Sequence, residues 1–263
     1  MKRVITGLLL GFLFVLLLIY TTGFWFSVIV VLIAGLALFE YYKITINQDK
    51  GLLLVATLLG AIVPLIAYLS GFNWLTGYLT FTVFFLFIYC LFAHDPLASV
   101  TSRAGMGVLG ITYISFPLSH LILLRELEQG SLWILLLVLI TAANDTFAFY
   151  TGRWIGRFKL SPVVSPNKTV EGALGGVAGG IVAAIAFRQF SLIEISLNEA
   201  LLLAILLGIA GQFSDLFESL IKRSAGVKDS GNFLPGHGGI LDRIDSLIFP
   251  GPFLYYYLVV FKV

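Results

Sequence analysis

The sequence predicts an all-α, polytopic membrane protein with about nine transmembrane helices, and three observations support this fold class. Of the 263 residues, 59% are hydrophobic and 11% are charged. The mean hydropathy is +1.01, well above that of soluble proteins. Windows of about 20 apolar residues, the length that crosses a bilayer as a helix, recur along the whole chain. The formal net charge of +2 does not indicate a nucleic-acid-binding protein.

Short polar segments separate the predicted spans. The spans cover about residues 4–20, 24–43, 51–70, 74–93, 105–124, 131–150, 172–188, 200–222 and 240–261. The first imitates a signal peptide, but no small-residue cleavage site follows it, so we interpret it as a retained span. The last contains Pro250-Gly251-Pro252, which predicts a break or a kink.

The basic residues predict the orientation in the cell membrane. If the N-terminus is cytoplasmic, all of the sixteen Lys and Arg residues except Arg125, Arg188 and Lys262 lie on the cytoplasmic side. Cytoplasmic loops of membrane proteins carry this excess of positive charge. We therefore expect the N-terminus and the large polar loops in the cytoplasm.

Acidic residues inside the apolar runs are the first candidates for function. Asp145 interrupts the sixth run, where an acid is unfavourable unless it is paired, protonated or bound to a cation. A functional role and a protonated Asp that bonds two helices are both compatible with this position. Glu40, beside Lys43 at the end of the second run, is interpreted as part of an interfacial ion pair, with a functional site as the alternative.

The eighth and ninth runs both present polar helical faces to the connection between them. In the eighth, four side chains at i, i+3, i+4 and i+7 share one face: Asp215, Glu218, Ser219 and Lys222. In the ninth, three follow at i, i+3 and i+4: Asp242, Asp245 and Ser246. Divalent cations prefer such oxygen ligands, so this pattern indicates a metal site. Surface ion pairs at two helix ends are the alternative, but they do not explain the acids placed before Lys222.

The segment before the seventh run combines cations, hydroxyls and glycines. Ser165, Lys168 and Thr169 precede a predicted helix, whose free N–H groups suit a phosphate. A basic loop that arises from topology alone is the alternative. Small residues then recur on two stripes that predict close helix packing: Gly172, Gly176 and Gly180, with Gly175 and Gly179.

Two motifs in these segments resemble the phosphatidate cytidylyltransferase family, also called CDP-diacylglycerol synthases. One combines S-x-x-K-R, K-D, L-P-x-H-G-G and D-R-x-D, which the chain meets from Ser219 to Asp245. The other is S-P-x-K-T-x-E-G at residues 165–172, after an Asp-Thr pair at Asp145. The chain departs from the family at Asn167, where a second lysine is usual, and at Ser214, where glycine is usual.

The resemblance implies transfer of a cytidylyl group from CTP to phosphatidic acid, giving CDP-diacylglycerol and pyrophosphate. It implies Mg²⁺ as the cofactor and a homodimer as the assembly. A divalent cation and basic side chains can lower the electrostatic barrier between two anions without a covalent intermediate. We expect residues 1–130 to form a transmembrane scaffold and residues 131–263 to form the catalytic region.

Each candidate residue receives a role on this basis. The expected metal ligands are Asp215, Asp242 and Asp245. The expected catalytic residues are Ser219, Lys222, Arg223, Lys228, His237 and Arg243. The expected substrate-binding residues are Asp145, Ser165, Lys168, Thr169 and Glu218. Asp145 and Glu218 are alternatively further metal ligands, and His237 alternatively caps the glycine turn.

Two other functions are compatible with parts of the sequence. A cation-coupled transporter also has intramembrane acids and a broken helix, but no matching broken segment occurs elsewhere in this chain. Most of the charged residues also lie on one predicted face of the membrane. This distribution favours an enzyme that acts at the membrane surface over a protein that carries ions across the membrane. A related lipid-phosphate nucleotidyltransferase or lipid kinase is the second alternative.

Overall fold

The computed structural model describes residues 15–18, 20–93, 97–190, 193–231, 233 and 238–262. In these residues the chain is mostly helical, as predicted. It divides into two compact units. The first consists of Met1–Glu126 and Asp229–Arg243, and the second of Leu127–Lys228 and Ile244–Val263.

The helices of the described residues follow one another with short connections. They are α1 Gly23–Thr45, α2 Lys50–Phe92, α3 Leu97–Gly110, α4 Phe116–Glu126, α5 Gly130–Ile155, α6 Val170–Phe190, α7 Leu197–Ser224, α8 Leu241–Ile248 and α9 Pro250–Phe261. A π-helical turn, Ile111–Ser115, joins α3 to α4. Two antiparallel strands, β1 Lys159–Ser161 and β2 Ser165–Thr169, form a hairpin before α6 that the sequence did not predict.

Seven helical stretches among the described residues are long and apolar enough to span a membrane, so the predicted number of about nine is not confirmed. The predicted spans 51–70 and 74–93 both fall in the 43-residue helix α2. Gly71 interrupts this helix with φ 65° and ψ −163°, a conformation that glycine adopts far more readily than other residues. Most of the first predicted span lies outside the described residues.

In the first unit, two adjacent buried tyrosines fix α1 to α3. The Tyr41 hydroxyl donates to the Met106 carbonyl at 3.2 Å, and the Tyr42 hydroxyl donates to the Gly107 carbonyl at 2.6 Å. Both rings lie against Gly110, where a Cβ would come within 2.7 Å of them. The last turns of α1 are therefore held in place by hydrogen bonds and by close packing.

In the second unit, the Asn144 side chain links three helices. Its Nδ2 donates to the Gly208 carbonyl of α7 at 3.1 Å, and its Oδ1 accepts a bond from Gln212 Nε2 at 2.9 Å. Gln212 also donates to the Ala173 carbonyl of α6 at 2.9 Å. These bonds join α5, α6 and α7 at the level of Asp145, the next residue along α5.

The glycines of α6 lie against α5, which confirms the predicted close packing. A Cβ at Gly176 would lie 2.8 Å from the backbone oxygen of Asn144. A Cβ at Gly179 would lie 2.4 Å from Cγ of Phe147. The absence of side chains at these positions lets the two helix backbones approach each other.

Gly176→Ala is expected to destabilise the protein by about 2 kcal/mol, because the added methyl group overpacks a contact that includes backbone. Gly77→Ala is the matched control, since a Cβ at that helical position meets nothing within 4 Å. The control is expected to be neutral or stabilising by up to about 1 kcal/mol. Thermal unfolding in detergent measures both variants, and an unchanged Tm for Gly176→Ala contradicts the tight contact.

The predicted break in the last span is confirmed. Helix α8 ends at Ile248, Phe249 intervenes, and Pro250 occupies the first position of α9. Proline suits this position because the first residues of a helix have no internal partner for their N–H groups. The break makes α8 a separate short helix that carries Asp245.

Candidate active site

Three carboxylates of the second unit lie close enough to share one cation. Each of Asp215, Glu218 and Asp245 offers a ligand oxygen, and these oxygens all lie within 4.8 Å of one another. Asp215 and Glu218 are about one turn apart on α7, so they project from the same helical face. The Ser214 hydroxyl donates to the Asp245 backbone carbonyl, which holds α8 against α7 at this point. The departure from the family at Ser214 thus provides an additional bond inside the site.

Asp145 on α5 adds a fourth carboxylate to this group. Its charged neighbours are Asp215 and Lys168, and Ser246 of α8 lies beside its side chain. Asp145 is also among the negatively charged neighbours of Asp245. The intramembrane acid predicted from the sixth run therefore lies among other acids of the second unit.

Two lysines partly neutralise this cluster. Lys168 Nζ lies 2.6 Å from Asp215 Oδ2, and Lys222 forms an ion pair with Glu218 one turn before it on α7. When all six groups are ionised, four negative and two positive charges leave a formal charge of −2. An oxygen-rich group with this excess charge fits one divalent cation of the kind that prefers oxygen ligands.

The hairpin places Lys168 at the open edge of the cluster. The Lys168 and Asp215 side chains are 28% and 31% exposed, so a soluble ion can reach this pair. The next residue, Thr169, is buried, and its hydroxyl accepts the Gly172 N–H at 3.1 Å, which caps α6. Ser165 pairs with Ser161 in the hairpin. Contacts of Ser165 and Thr169 with a phosphate stay predictions.

Other predicted residues lie around the end of α7. Arg223 is exposed and donates to the Val227 carbonyl at 2.9 Å, which closes the end of the helix. Lys228 is exposed, and Ser219 is half-buried. Their catalytic roles stay predictions, and His237 lies outside the described residues.

Asp242 lies in the first unit and is bound there to the loop that precedes it. Its Oδ2 accepts bonds from the Ser230 hydroxyl at 3.0 Å and from the Gly239 N–H at 2.7 Å. The group of carboxylates that fits a cation contains Glu218, which we expected either to bind substrate or to be a further metal ligand, and does not contain Asp242. The predicted role of Asp242 as a metal ligand is not tested by these contacts. Arg243, the next residue, is exposed.

Glu40 is the residue that the sequence interpretation assigned wrongly. Its side chain is not at an exposed interface, because the residue is 7% exposed and Oε2 accepts a bond from the Ser230 hydroxyl at 3.1 Å. The same oxygen accepts the Leu241 N–H at 3.0 Å. The rule applied to Asp145, that an acid in an apolar run needs a specific partner, would also have singled out Glu40.

This fold and this cluster define a polytopic membrane protein with an oxygen-rich, lysine-flanked group of carboxylates that could hold a metal ion. The chain belongs to the cytidylyltransferase family, whose model matches residues 1–261. This membership confirms the resemblance that the two motifs indicated.

Several similar proteins carry the name phosphatidate cytidylyltransferase. The one from Bacillus subtilis is 34% identical and the match covers 99% of this chain and 98% of the relative. The one from Synechocystis sp. is 32% identical over 90% of this chain and 89% of the relative. The one from Staphylococcus saprophyticus is 42% identical over 57% of each chain. Likeness to proteins of this name therefore extends over almost the whole chain.

Proposed function

We propose that this protein transfers the cytidylyl group of CTP to phosphatidate, giving CDP-diacylglycerol and pyrophosphate. The observation that carries the proposal is the cluster of Asp145, Asp215, Glu218 and Asp245 with Lys168 at its open edge. It occurs in a chain that matches a protein named phosphatidate cytidylyltransferase over nearly its full length. As the family resemblance implies, we also propose that it acts as a homodimer.

The proposed reaction joins two anions by a single displacement. A phosphate oxygen of phosphatidate attacks the α-phosphorus of CTP, and the bond from that phosphorus to the oxygen bridging to the β-phosphorus breaks. Pyrophosphate leaves with that oxygen. Because a phosphate monoester is already an anionic nucleophile, the reaction needs no general base. The protein's task is to position both phosphates and to neutralise their charge.

We assign a different part of this task to each residue of the cluster. We assign Asp215, Glu218 and Asp245 to a Mg²⁺ ion, which when bound supplies positive charge to the phosphate oxygens. Lys168 is assigned to a phosphate of the triphosphate or of the lipid, since it is part-exposed. Lys222 is buried against Glu218 and holds that carboxylate in place.

The basic residues outside the cluster are assigned from the family motif. Arg223, Lys228 and Arg243 are exposed, so they are open to the phosphates of a substrate. We propose that they bind these phosphates. Ser219 and His237 keep the roles implied by the resemblance, in which they orient groups of the site.

The direct test offers the purified protein each of the four nucleoside triphosphates with phosphatidate and Mg²⁺ in mixed micelles. A cytidylyl lipid and pyrophosphate are expected with CTP, and chelation of Mg²⁺ is expected to stop their formation. A lipid that gains only the γ-phosphate would identify a kinase instead. No lipid product with any nucleotide would contradict the proposal.

We also propose that the cluster faces the cytoplasm, because of the distribution of Lys and Arg. Val163, at the tip of the hairpin, is 90% exposed and suits a labelling test. With Cys90, the only cysteine of the sequence, replaced by Ala, Val163→Cys should react with an impermeant thiol reagent in inverted vesicles and not in intact cells. Glu128→Cys, an exposed position in a predicted outer loop, is the control and should show the opposite pattern. Labelling of Val163→Cys in intact cells would reverse the orientation.

A further inference from the structure

The Glu40 carboxylate is buried against both ends of the segment 229–243, which carries the second half of the family motif. One oxygen, Oε2, accepts bonds from Ser230 near the start of the segment and from Leu241 near its end. The Ser230 oxygen also lies 3.0 Å from Asp242 Oδ2, so the one hydroxyl proton of this serine can be donated to either of two carboxylates. Glu40, 190 residues before Ser230 in the sequence, thereby ties the segment to α1.

Two glycines of the segment make room for this carboxylate. A Cβ at Gly231 would meet three atoms of Glu40: Oε1 at 2.5 Å, Cδ at 2.8 Å and Cγ at 3.1 Å. A Cβ at Gly239 would lie 2.3 Å from Glu40 Oε2 and 2.1 Å from the Ser230 Oγ. Neither glycine has a positive φ, in contrast to Gly238 at 81°. The requirement at Gly231 and Gly239 is thus for space around the carboxylate.

The part of α1 that carries Glu40 is itself held in place. The next two residues, Tyr41 and Tyr42, are bonded to the backbone of α3. Burial of a carboxylate is unfavourable unless its hydrogen bonds compensate, and an apolar side chain would serve the packing of α1 better. The presence of an acid here therefore points to a requirement of the segment that it binds.

We propose that Glu40 is a positioning residue for the transfer reaction. Through Ser230 and Leu241 it fixes the backbone that carries Asp242, which the family resemblance gives as a metal ligand, and Arg243, which it gives as a catalytic residue. The expected effect of Glu40 on kcat rests on the proposed cytidylyl transfer. The anchoring of the segment by Glu40 does not depend on that function.

The first experiment compares Glu40→Ala and Glu40→Gln with Ser27→Ala, a control on the same helix whose hydroxyl bonds only to the Phe24 carbonyl among the contacts of the described residues. At saturating CTP and phosphatidate, Glu40→Ala is expected to lower kcat about 10- to 100-fold, because the segment loses its fixed position. Glu40→Gln should keep most of the activity, since its amide oxygen can still accept the Leu241 N–H. Ser27→Ala should match the wild type.

Hydrogen exchange gives a readout that does not depend on activity. In Glu40→Ala, amides of residues 229–231 and 239–243 should exchange faster, while those of the hairpin 159–169 should be unchanged. Wild-type exchange in this segment together with wild-type kcat would overturn the inference. If the wild-type protein makes no cytidylyl lipid, the proposed function fails, and exchange still decides the anchoring by Glu40.

A double-mutant cycle separates this role from general stability. Gly231→Ala is expected to lower kcat because its methyl group displaces the Glu40 carboxylate, and the double variant with Glu40→Ala should be no worse than Glu40→Ala. Losses that multiply would overturn the proposal. If Glu40→Ala does not fold, Gly231→Ala carries the test, with lower kcat and faster exchange at Leu241 expected and no change in either as the contrary result.

Discussion

Asp215→Asn is expected to lower turnover about 100-fold or more, because it removes one carboxylate from the group that we assign to the Mg²⁺ ion, whose positive charge would neutralise the reacting phosphates. Asparagine keeps the shape of the side chain, and the change leaves the Ser214 bond and the Asn144 bonds to α7 intact. The variant should therefore fold. Initial rates at saturating CTP, phosphatidate and Mg²⁺ measure the loss.

The same experiment tests whether Asp215 and Asp245 act on one cation. Asp245→Asn should cause a similar loss, and the double variant should be little worse than the worse single variant, since residues that act as a unit are not additive. Mg²⁺ should raise the Tm of the wild type but not that of either variant. Glu128→Gln, which removes an exposed acid of the same unit, is the control and should behave as wild type. Full activity of Asp215→Asn, or losses that multiply, would contradict a shared cation.

Asp242→Asn extends this cycle to the third ligand expected from the sequence. If Asp242 binds the same cation, the double variant Asp215→Asn/Asp242→Asn should be no less active than the worse single variant. Mg²⁺ should then no longer raise the Tm of Asp242→Asn. If it serves to hold Ser230 and Gly239, the two losses multiply and Mg²⁺ still raises the Tm of Asp242→Asn.

Lys168→Ala is the second change with a large expected effect, a loss in kcat/KM of about 100-fold. The ammonium group lies 2.6 Å from Asp215 Oδ2 and is part-exposed, so it can bind an incoming phosphate beside the carboxylates. Lys168→Arg keeps the positive charge and should retain more activity than Lys168→Ala. Its planar group differs in geometry from an ammonium, so recovery should be incomplete.

Lys159→Ala provides the matched comparison for Lys168. Lys159 is an exposed cation on the other strand of the same hairpin, and its backbone pairs with Thr169. If position near the carboxylates matters, Lys159→Ala should change kcat/KM by no more than about twofold. Equal losses in both alanine variants would mean that the hairpin acts only through its total positive charge.

Features that depend on neighbours along the chain were predicted well. The 3.6-residue period places Asp215 and Glu218 on one face of α7, and the same period places Gly176 against α5. Pro250-Gly251-Pro252 is unfavourable inside a helix and Pro250 suits a first helical position, so the break before α9 also follows from the sequence. The predicted spans 51–70 and 74–93 were separated at residues 71–73, and Gly71 interrupts α2 at this point.

Features that depend on contacts between distant residues were not predicted. Glu40 and Leu241 are 201 residues apart, and Gln212 and Asn144 are 68 apart, so no periodicity relates them. The family motif contains Asp242 but not Glu40. The motif therefore gave no indication that Glu40 binds the segment 229–243. The strands of the hairpin are short and contain lysines, hydroxyls and Pro166, so they lack the alternating apolar pattern that identifies a strand.

The bonds made by Asn144 have a consequence for repeated turnover. Each catalytic cycle would bring highly charged anions to the carboxylates and release pyrophosphate from them, so the local electric field would change at every step. Asn144 and Gln212 join α5, α6 and α7 through neutral amides, whose hydrogen bonds depend little on that field. The helices α5 and α7, which carry Asp145, Asp215 and Glu218, are thus joined to each other and to α6 by groups that do not titrate.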